Sequence, residues 1–146
     1  MTHTHAPWAG HATEELARAG YRRGGARAAV IELLDGQGCA LSAFEIEAAL
    51  AAAGARTVGR ASVYRILEEL EALGLVTRLD LGQGLARFEP ARSEGHHHHM
   101  ICRRCGDVLP FEDAGLERSI ERLSRHSSFA VDDHDVVLRG VCVACR

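Results

Sequence analysis

The chain has 146 residues, of which 47% are hydrophobic and 25% charged, and its formal charge of −3 gives no global basic field that would indicate nucleic-acid binding. This length suits one ordinary domain or two small ones, and it is too short for a large enzyme with separate substrate and cofactor domains. Because there is no apolar run of about eighteen residues and the first thirty residues are rich in histidine, glutamate and arginine, the sequence excludes a membrane span and a secretory signal and predicts a cytoplasmic protein.

The N-terminal half of the chain predicts a series of helices. Residues 1–12 are mostly small, polar or histidine residues and are expected to form a flexible leader. Beyond them, apolar residues at helical spacing predict two segments that end at Gly20 and Gly36. Ser42 and Glu45 then form a capping box, in which each side chain accepts a hydrogen bond from the other residue's backbone amide and so starts a third segment.

A further helix and a hairpin complete this half. The most regular apolar stripe ends at Gly74, and strand-like runs at 75–79 and 85–88 flank a Gly-Gln-Gly tip. Helices followed by a β-hairpin are the order of a winged helix, whose last helix before the hairpin enters the DNA major groove. We therefore expect a winged helix-turn-helix DNA-binding domain over residues 13–90.

The C-terminal part of the chain predicts a second, smaller domain. Residues 91–95 are turn-rich and are expected to form a hinge, and residues 96–146 a small α/β domain with one helix capped by Asp113. About fifty residues give too small a core to stand alone, so this domain needs a metal and a partner chain. The expected fold class is α+β. The predicted strands of this domain are 96–101, 108–111, 129–131 and 136–141.

Four of the five cysteines form two C-x-x-C pairs, Cys102 with Cys105 and Cys142 with Cys145. In a chain without a secretion signal, two such pairs predict a tetrahedral zinc site rather than disulfides. A redox pair of the thioredoxin type is the alternative, and it would explain one pair but not both. The fifth cysteine, Cys39, is more often a small buried hydrophobic residue than a ligand.

Four consecutive histidines precede the first cysteine pair. In an extended strand, side chains alternate between faces, which places His96 and His98 on one face and His97 and His99 on the other. Two pairs on two faces predict two different metal sites, whereas the alternative is a solvated polar strand without metal. The candidates for the remaining ligands are Glu89, Glu117 and His134.

Three motifs occur in order along the chain: Arg-Ala-Ser-Val-Tyr-Arg at 60–65, the histidine tract with the following Met-Ile-Cys-Arg-Arg-Cys-Gly, and the closing C-x-x-C. Together they resemble the ferric uptake regulator family of bacterial metal-dependent repressors, over roughly residues 15–146. The resemblance implies a regulator rather than an enzyme, with an N-terminal winged helix and a C-terminal α/β dimerisation domain. Its partners would be double-stranded operator DNA and a second copy of the chain, with no small-molecule substrate.

The resemblance also assigns roles to the metal-ligand candidates. It implies a structural zinc site formed by Cys102, Cys105, Cys142 and Cys145. It implies a regulatory metal site at the hinge, formed by Glu89, His97 and His99. It implies a second metal site within the dimerisation domain, formed by His96, His98, Glu117 and His134.

Two departures from the family pattern bear on the regulatory metal. Ala40 stands where iron and peroxide regulators carry a histidine, and His98 stands where the ferric regulator commonly has Asp. Nitrogen-rich or thiolate-completed sites suit zinc, so a zinc uptake regulator is slightly favoured. Glu89 and the lack of a cysteine after the hairpin favour iron instead, and peroxide sensors carry Asp in place of Glu89. The candidates for a fourth hinge ligand are Cys39 and the leader histidines His3, His5 and His11.

The expected mechanism is a linkage between metal and DNA. A metal held on both sides of the hinge fixes the angle between the two DNA-binding domains of the dimer, so that they match half-sites about one helical turn apart. Tyr64 and Arg65 are the candidates for base-edge or phosphate contacts; Tyr64 packing on the hairpin and an Arg65 pair with Glu68 or Glu69 are the alternatives. The further DNA-binding candidates, mainly for the DNA backbone, are Arg22, Arg23, Arg27, Arg60 and Ser62.

Other functions remain as alternatives. A zinc hydrolase could use histidine pairs and a glutamate, but the chain has no H-E-x-x-H, nucleophile elbow or glycine-rich phosphate loop. A zinc storage or delivery protein and a peroxide-sensing repressor of the same family are further alternatives. DNA binding that requires added metal separates the regulator from the hydrolase and the storage protein.

Overall fold

The computed structural model of the protein describes residues 8–37, 39–54, 58–80, 84–91 and 97–146. The chain divides into two units, Met1–Ser93 and Glu94–Arg146. Within the described ranges, no helix combines the length and apolar character that crossing a bilayer requires. The elements of the N-terminal unit are α1 (Trp8–Arg18), α2 (Gly25–Asp35), β1 (Leu41–Ser42), α3 (Ala43–Ala52), α4 (Arg60–Ala72), β2 (Val76–Asp80) and β3 (Ala86–Pro90).

The core of the N-terminal unit is built from apolar side chains of its helices and of β3. These side chains recur at intervals of three and four residues, the spacing that gives a helix one buried face. Those that are at most 2% exposed include Val30, Leu34, Ile46, Ile66 and Phe88.

A small sheet completes this unit. Strands β2 and β3 form an antiparallel hairpin with Val76 opposite Pro90, and β1 pairs with the other edge of β3, with Leu41 opposite Phe88. The strand order β1-β3-β2 beside the helices is a winged helix and confirms the expected α+β class. Part of the predicted hairpin tip, residues 82–83, lies outside the described residues.

The first helix starts earlier than its sequence pattern predicts. We expected residues 1–12 to be a leader, whereas α1 begins at Trp8. The reason is a tertiary contact: Trp8 is buried, and its indole N–H donates a hydrogen bond of 2.9 Å to the carbonyl of Leu75. Ala12 and Leu16 follow on the same buried face. Residues 1–7 of the predicted leader lie outside the described part of the chain.

Local signals define the ends of two other helices as predicted. The Ser42 hydroxyl accepts a hydrogen bond from the Glu45 amide at 3.2 Å, and the Glu45 carboxylate accepts one from the Ser42 amide at 2.7 Å. The capping box is thus confirmed at the start of α3. Gly74, with φ of +68°, follows the end of α4 in the left-handed conformation that glycine adopts without strain.

The C-terminal unit is a three-stranded sheet with one helix. Strand β4 lies in the centre, antiparallel to β5 and parallel to β6. The Asp113 carboxylate accepts a hydrogen bond of 2.7 Å from the Leu116 amide, as expected of a helix cap. The elements of this unit are β4 (His98–Cys102), β5 (Val108–Phe111), α5 (Ala114–His126), β6 (Val137–Gly140) and a 3-10 turn (Val143–Cys145).

One predicted strand is wrong. Residues 129–131 are irregular, and Phe129 is 77% exposed. The backbone N–H of Phe129 donates to the Ser127 hydroxyl at 3.3 Å, a local bond that competes with strand pairing. The sheet resumes only at β6, which is one residue later than the predicted start at residue 136.

Candidate metal centres and nucleic-acid interface

The two C-x-x-C pairs meet at one end of the C-terminal sheet. Parallel pairing places Cys102 opposite Gly140, so the segment that carries Cys142 and Cys145 starts beside β4. One sulfur from each of the four cysteines lies within 4.8 Å of the others. The Sγ atoms of Cys105 and Cys142 are 3.7 Å apart. Zinc–sulfur bonds of about 2.3 Å in a tetrahedron separate two sulfurs by about 3.8 Å, so this spacing fits zinc.

The thiols of this cluster differ in how readily they lose a proton. The backbone N–H of Cys142 donates to Sγ of Cys102 at 3.3 Å. This bond, with others from the amides of Cys105 and Arg104, lowers the pKa of the Cys102 thiol to about 6. Hydrogen bonds with the sulfurs of Cys142 and Cys105 raise the pKa of the Cys145 thiol to about 12. The cluster thus forms one thiolate easily, and further negative charge requires a cation to offset it.

Glu117 of α5 joins two histidines in a second cluster. Its Oε1 lies 2.5 Å from Nε2 of His98, and its Oε2 lies 2.9 Å from Nε2 of His134. The backbone N–H of Val136 donates to Nδ1 of His98 at 3.2 Å, so Nε2 is the nitrogen that carries the proton toward Glu117. The hydrogen bond with His98, and to a lesser extent the one with His134, lowers the pKa of the Glu117 carboxyl group. A metal could replace that proton and keep the same ligands.

The histidine side chains alternate between the faces of the strand. His98, which is 1% exposed, lies with Glu117 and His134, whereas the rings of His97 and His99 contact each other with centroids 4.9 Å apart. The described part of the tract therefore has the two-residue periodicity that we predicted. His96, the fourth member, lies outside the described residues.

The remaining candidates for the hinge site belong to the N-terminal unit. Glu89 is half-buried on β3, opposite Thr77. Cys39 is half-buried and precedes Ala40, which is 1% exposed. His11 is exposed on α1. The other leader histidines, His3 and His5, lie outside the described residues.

Helix α4 presents the predicted DNA-binding face. Tyr64 is 42% exposed, Arg65 is exposed and Ser62 is half-buried, whereas Val63 and Ile66 of the same helix are buried in the core. The pattern follows helical geometry, because the buried residues of α4 are spaced by three and four positions and so occupy one face, which leaves Tyr64 and Arg65 on the other. The packing of the winged helix therefore turns Tyr64 and Arg65 outward.

The arginines proposed for DNA contact have different surroundings. Arg22 and Arg23 are exposed before α2. Arg27 instead binds Glu69 of α4 through two hydrogen bonds of 2.7 and 3.0 Å, and its guanidinium lies 4.8 Å from the ring centre of Tyr21. The ion pair lowers the pKa of Glu69 and connects α2 to α4.

Arg60, the first residue of α4, contacts α3. Its Nε donates to Oε2 of Glu47 at 2.9 Å, and its guanidinium carbon lies 5.0 Å from the ring centre of Phe44. Sequence reasoning missed Phe44 and Glu47, since no periodic pattern signals a contact between residues so far apart in the chain.

The model of the ferric uptake regulator family matches residues 18–139. The chain belongs to the ferric uptake regulator family. It is similar to the ferric uptake regulation protein of Pseudomonas aeruginosa, with 40% identity over 125 residues that cover 85% of this chain and 92% of that protein. The α+β winged-helix chain is therefore a metal-responsive regulator of this family.

Solved structures of family members agree with this fold. The ferric uptake regulator of Vibrio cholerae superposes with a TM-score of 0.79 at 30% identity, over 89% of this chain and 98% of that chain. The Pseudomonas aeruginosa regulator, solved with manganese, superposes with a TM-score of 0.72 at 37% identity, over 89% and 96% of the two chains. The crystal structure of the Vibrio cholerae protein reveals a rearrangement of its DNA-binding domains.

Proposed function

We propose that the protein is a metal-dependent transcriptional repressor that binds operator DNA as a homodimer in the cytoplasm and controls metal homeostasis genes. One observation carries the proposal: a helix α4 that exposes Tyr64 and Arg65 and a unit that gathers clustered metal donors occur in one chain of this family. A divalent metal would act as corepressor by stabilising the DNA-binding arrangement.

The tetracysteine cluster is proposed to hold structural zinc. The donor set of four thiols and the 3.7 Å spacing of two of its sulfurs support this assignment. Because Cys102 is the last residue of β4 and the pair Cys142 and Cys145 follows β6, a bound zinc would tie the ends of two strands together. It would therefore contribute to the folding of the C-terminal unit.

The regulatory site is proposed to consist of Glu89, His97 and His99, as the family resemblance implies. The adjacent imidazoles of His97 and His99 support two of these ligands. Glu89 comes from the winged-helix side of the proposed hinge at 91–95, so a metal bound by all three would restrain the two domains relative to each other. Cys39 or a leader histidine is proposed as the fourth ligand.

The second regulatory site is proposed within the C-terminal unit. His98, Glu117 and His134 already share hydrogen bonds, and His96 would add a fourth donor. All four residues belong to the same unit, so a metal bound here would stabilise that unit without restraining the winged helix.

Dimerisation is proposed through the C-terminal unit. Large apolar side chains of this unit lie on its surface, and Leu109, Leu123 and Phe129 are 61%, 70% and 77% exposed. Helix α5 has no buried residue. Apolar surface of this kind is typical of a protein–protein interface, and a second copy of the chain would cover it.

The activating metal is proposed to be zinc or iron(II), and different observations favour each. The imidazole-rich donors favour zinc, which remains the slight preference from ligand chemistry. The 40% identity to a protein named for ferric uptake favours iron. Both metals accept two imidazoles and one carboxylate, so a direct titration has to separate them.

The experiment is a DNA-binding titration of protein that retains zinc in the cysteine cluster but lacks other metal. Duplexes are first selected from a random-sequence pool by the metal-loaded protein. Binding of the selected duplex is then measured with zinc, iron(II) under anaerobic conditions, manganese and nickel. We expect affinity to rise at least tenfold, or about 1.4 kcal/mol, with the activating metal. Equal affinity with and without every metal would refute the proposal, and tight metal uptake alone would indicate a storage protein.

A further inference from the structure

A three-residue cluster lies at the start of the recognition helix. Arg60 is the first residue of α4, and its guanidinium is bonded to Glu47 through Nε and packed against the ring of Phe44. Phe44 and Glu47 lie one turn apart on α3, so they hold the arginine from the same helix face. Phe44 is nevertheless 59% exposed, which leaves the cluster open to solvent.

The contact leaves the DNA-binding end of the arginine available. Among the residues that the structure describes, the hydrogen bond of Arg60 uses Nε, and no hydrogen bond engages the terminal nitrogens Nη1 and Nη2. These two nitrogens form the fork that pairs with O6 and N7 of guanine. Arg60 and Tyr64 are also four residues apart, so they occupy neighbouring turns of the same helix face.

Folding stability does not account for this arrangement. The side chains of Arg60 and Glu47 are 52% and 33% exposed, and ion pairs so accessible to water contribute little to stability. A carboxylate on a DNA-binding face also repels phosphates, which lowers affinity for any duplex. Glu47 therefore weakens DNA binding through its charge. It is an advantage only if it improves the selection of one sequence over another.

We propose that Arg60 is a specificity-determining residue that recognises a guanine in the major groove, and that Glu47 and Phe44 are positioning residues that hold its guanidinium for this contact. The proposal rests on the proposed function, since it requires operator binding by α4. The N-terminal residues of a recognition helix contact base edges, which is where Arg60 lies. Fixing Nε and the guanidinium plane reduces the orientations available to the fork, and preorganisation favours one base over the others.

The test compares sequence selection with total DNA affinity. Wild-type protein and its variants, loaded with the activating metal, each select duplexes from a random-sequence pool. Binding is then measured to the duplex enriched by wild-type protein, to the same duplex with single guanines replaced, and to a scrambled duplex. Because Glu47→Gln removes a negative charge, we expect it to bind scrambled DNA about two- to fivefold more tightly. We expect it to lose roughly threefold to tenfold of its preference for one guanine in each half-site.

Two further variants separate positioning from charge. Arg60→Lys keeps the positive charge but lacks the fork, so it should retain affinity for scrambled DNA and lose roughly tenfold of the guanine preference. Phe44→Ala should relax the same preference and leave affinity for scrambled DNA unchanged. Glu71→Gln, at an exposed position near the other end of α4, makes the same charge change and should leave the guanine preference unchanged.

A double-mutant cycle decides whether Glu47 acts through Arg60. In an Arg60→Ala background, Glu47→Gln should have no further effect on the guanine preference. An undiminished effect there, or an unchanged preference in the Glu47→Gln single variant, would overturn the proposal. If wild-type protein selects no duplex with any metal, the proposed function fails and this inference fails with it. If wild-type protein selects DNA and the Glu47→Gln variant has the same guanine preference as wild type, only the inference is wrong.

Discussion

Different kinds of side chain fill the interiors of the two units of the chain. The N-terminal unit buries apolar residues of all its helices and of its sheet, from Trp8 in α1 to Phe88 in β3. Among the described residues of the C-terminal unit, the buried ones lie on β4, where His98 and His99 accompany Ile101 and Cys102. Imidazoles and thiols are costly to bury unless their polar atoms have partners. A hydrophobic core therefore stabilises the first unit, and donor atoms occupy the corresponding place in the second.

This difference predicts how each unit responds to loss of metal. Apolar burial stabilises a unit at about 25 cal/mol for each Å² removed from water, with or without metal. A cluster of four thiols depends on a cation to offset the charge of its thiolates. The N-terminal unit should therefore keep its fold when metal is removed, whereas the C-terminal unit should lose it.

The largest effect should come from breaking the cysteine cluster. We expect Cys102→Ser to lose zinc, the fold of the C-terminal unit and the dimer, because a hydroxyl does not replace a thiolate ligand. Trp8 is the single tryptophan of the chain, so its fluorescence reports on the N-terminal unit and should stay native. Size-exclusion chromatography, zinc content and fluorescence measure these outcomes. Cys39→Ser is the matched control for fold and dimer, because Cys39 lies outside the cysteine cluster. A Cys102→Ser dimer with full zinc content would contradict the assignment.

The next effect separates the two faces of the histidine strand. His97→Ala should abolish metal-activated DNA binding and leave a folded dimer, because the proposed hinge site is the one coupled to DNA affinity. His98→Ala should mainly lower the melting temperature, since His98 is buried and bonded to Glu117. We expect His96→Ala to behave like His98→Ala. If His97→Ala and His98→Ala lose DNA binding and stability to the same extent, the two metal sites are not divided between the faces of the strand.

A smaller effect on DNA affinity is expected from Arg65, on the exposed face of α4 in the N-terminal unit. Arg65→Ala should weaken binding to selected DNA by about 1–3 kcal/mol if the arginine contacts a base. Melting temperature and metal content should not change, because Arg65 is exposed. Fluorescence anisotropy with a labelled duplex measures the loss. Arg65→Lys restores binding if the contact is a phosphate and does not if it is a base, and unchanged affinity in Arg65→Ala would place the DNA-binding face elsewhere.

The smallest effect concerns the ion pair inside the N-terminal unit. Two hydrogen bonds from Arg27 lower the pKa of Glu69 below its ordinary value. The pair therefore stabilises the fold fully at pH values above the pKa that Glu69 has in the unfolded chain. That contribution is lost as pH falls through the folded-state pKa. Glu69→Gln should therefore cost about 1–2 kcal/mol near neutral pH and progressively less in acid.

Urea unfolding followed by Trp8 fluorescence measures this difference at each pH. Glu71→Gln removes an exposed carboxylate from the same helix and is the control, for which little change is expected at any pH. A Glu69→Gln deficit that stays constant down to the most acidic pH would contradict the role of the ion pair.

Local signals allowed much of this fold to be predicted. The capping box at Ser42 and the end of α4 before Gly74 depend on neighbouring residues, and both were predicted correctly. The periodicity of the histidine strand also follows from local geometry. These features share one property, which is that the residues that determine them lie within a few positions of each other.

Features that depend on distant contacts could not be predicted in the same way. The start of α1 at Trp8 depends on a hydrogen bond to Leu75, and the short strand β1 forms because β3 offers an edge. The partners of Arg27 and Arg60 likewise come from other helices. No spacing rule connects such residues, so the sequence identified the arginines but did not identify Glu47, and it offered Glu69 as a partner of Arg65 rather than of Arg27.

Amide hydrogen exchange of zinc-loaded and fully metal-stripped protein tests the central difference between the units most directly. We expect slow exchange to persist in α2, α3 and α4 after stripping, because their apolar core does not depend on metal. We expect slow exchange in β4 and β6 to be lost, because the two cysteine pairs lie at the ends of these strands. Protection that persists in β4 and β6 without metal, or that disappears equally from both units, would contradict the account.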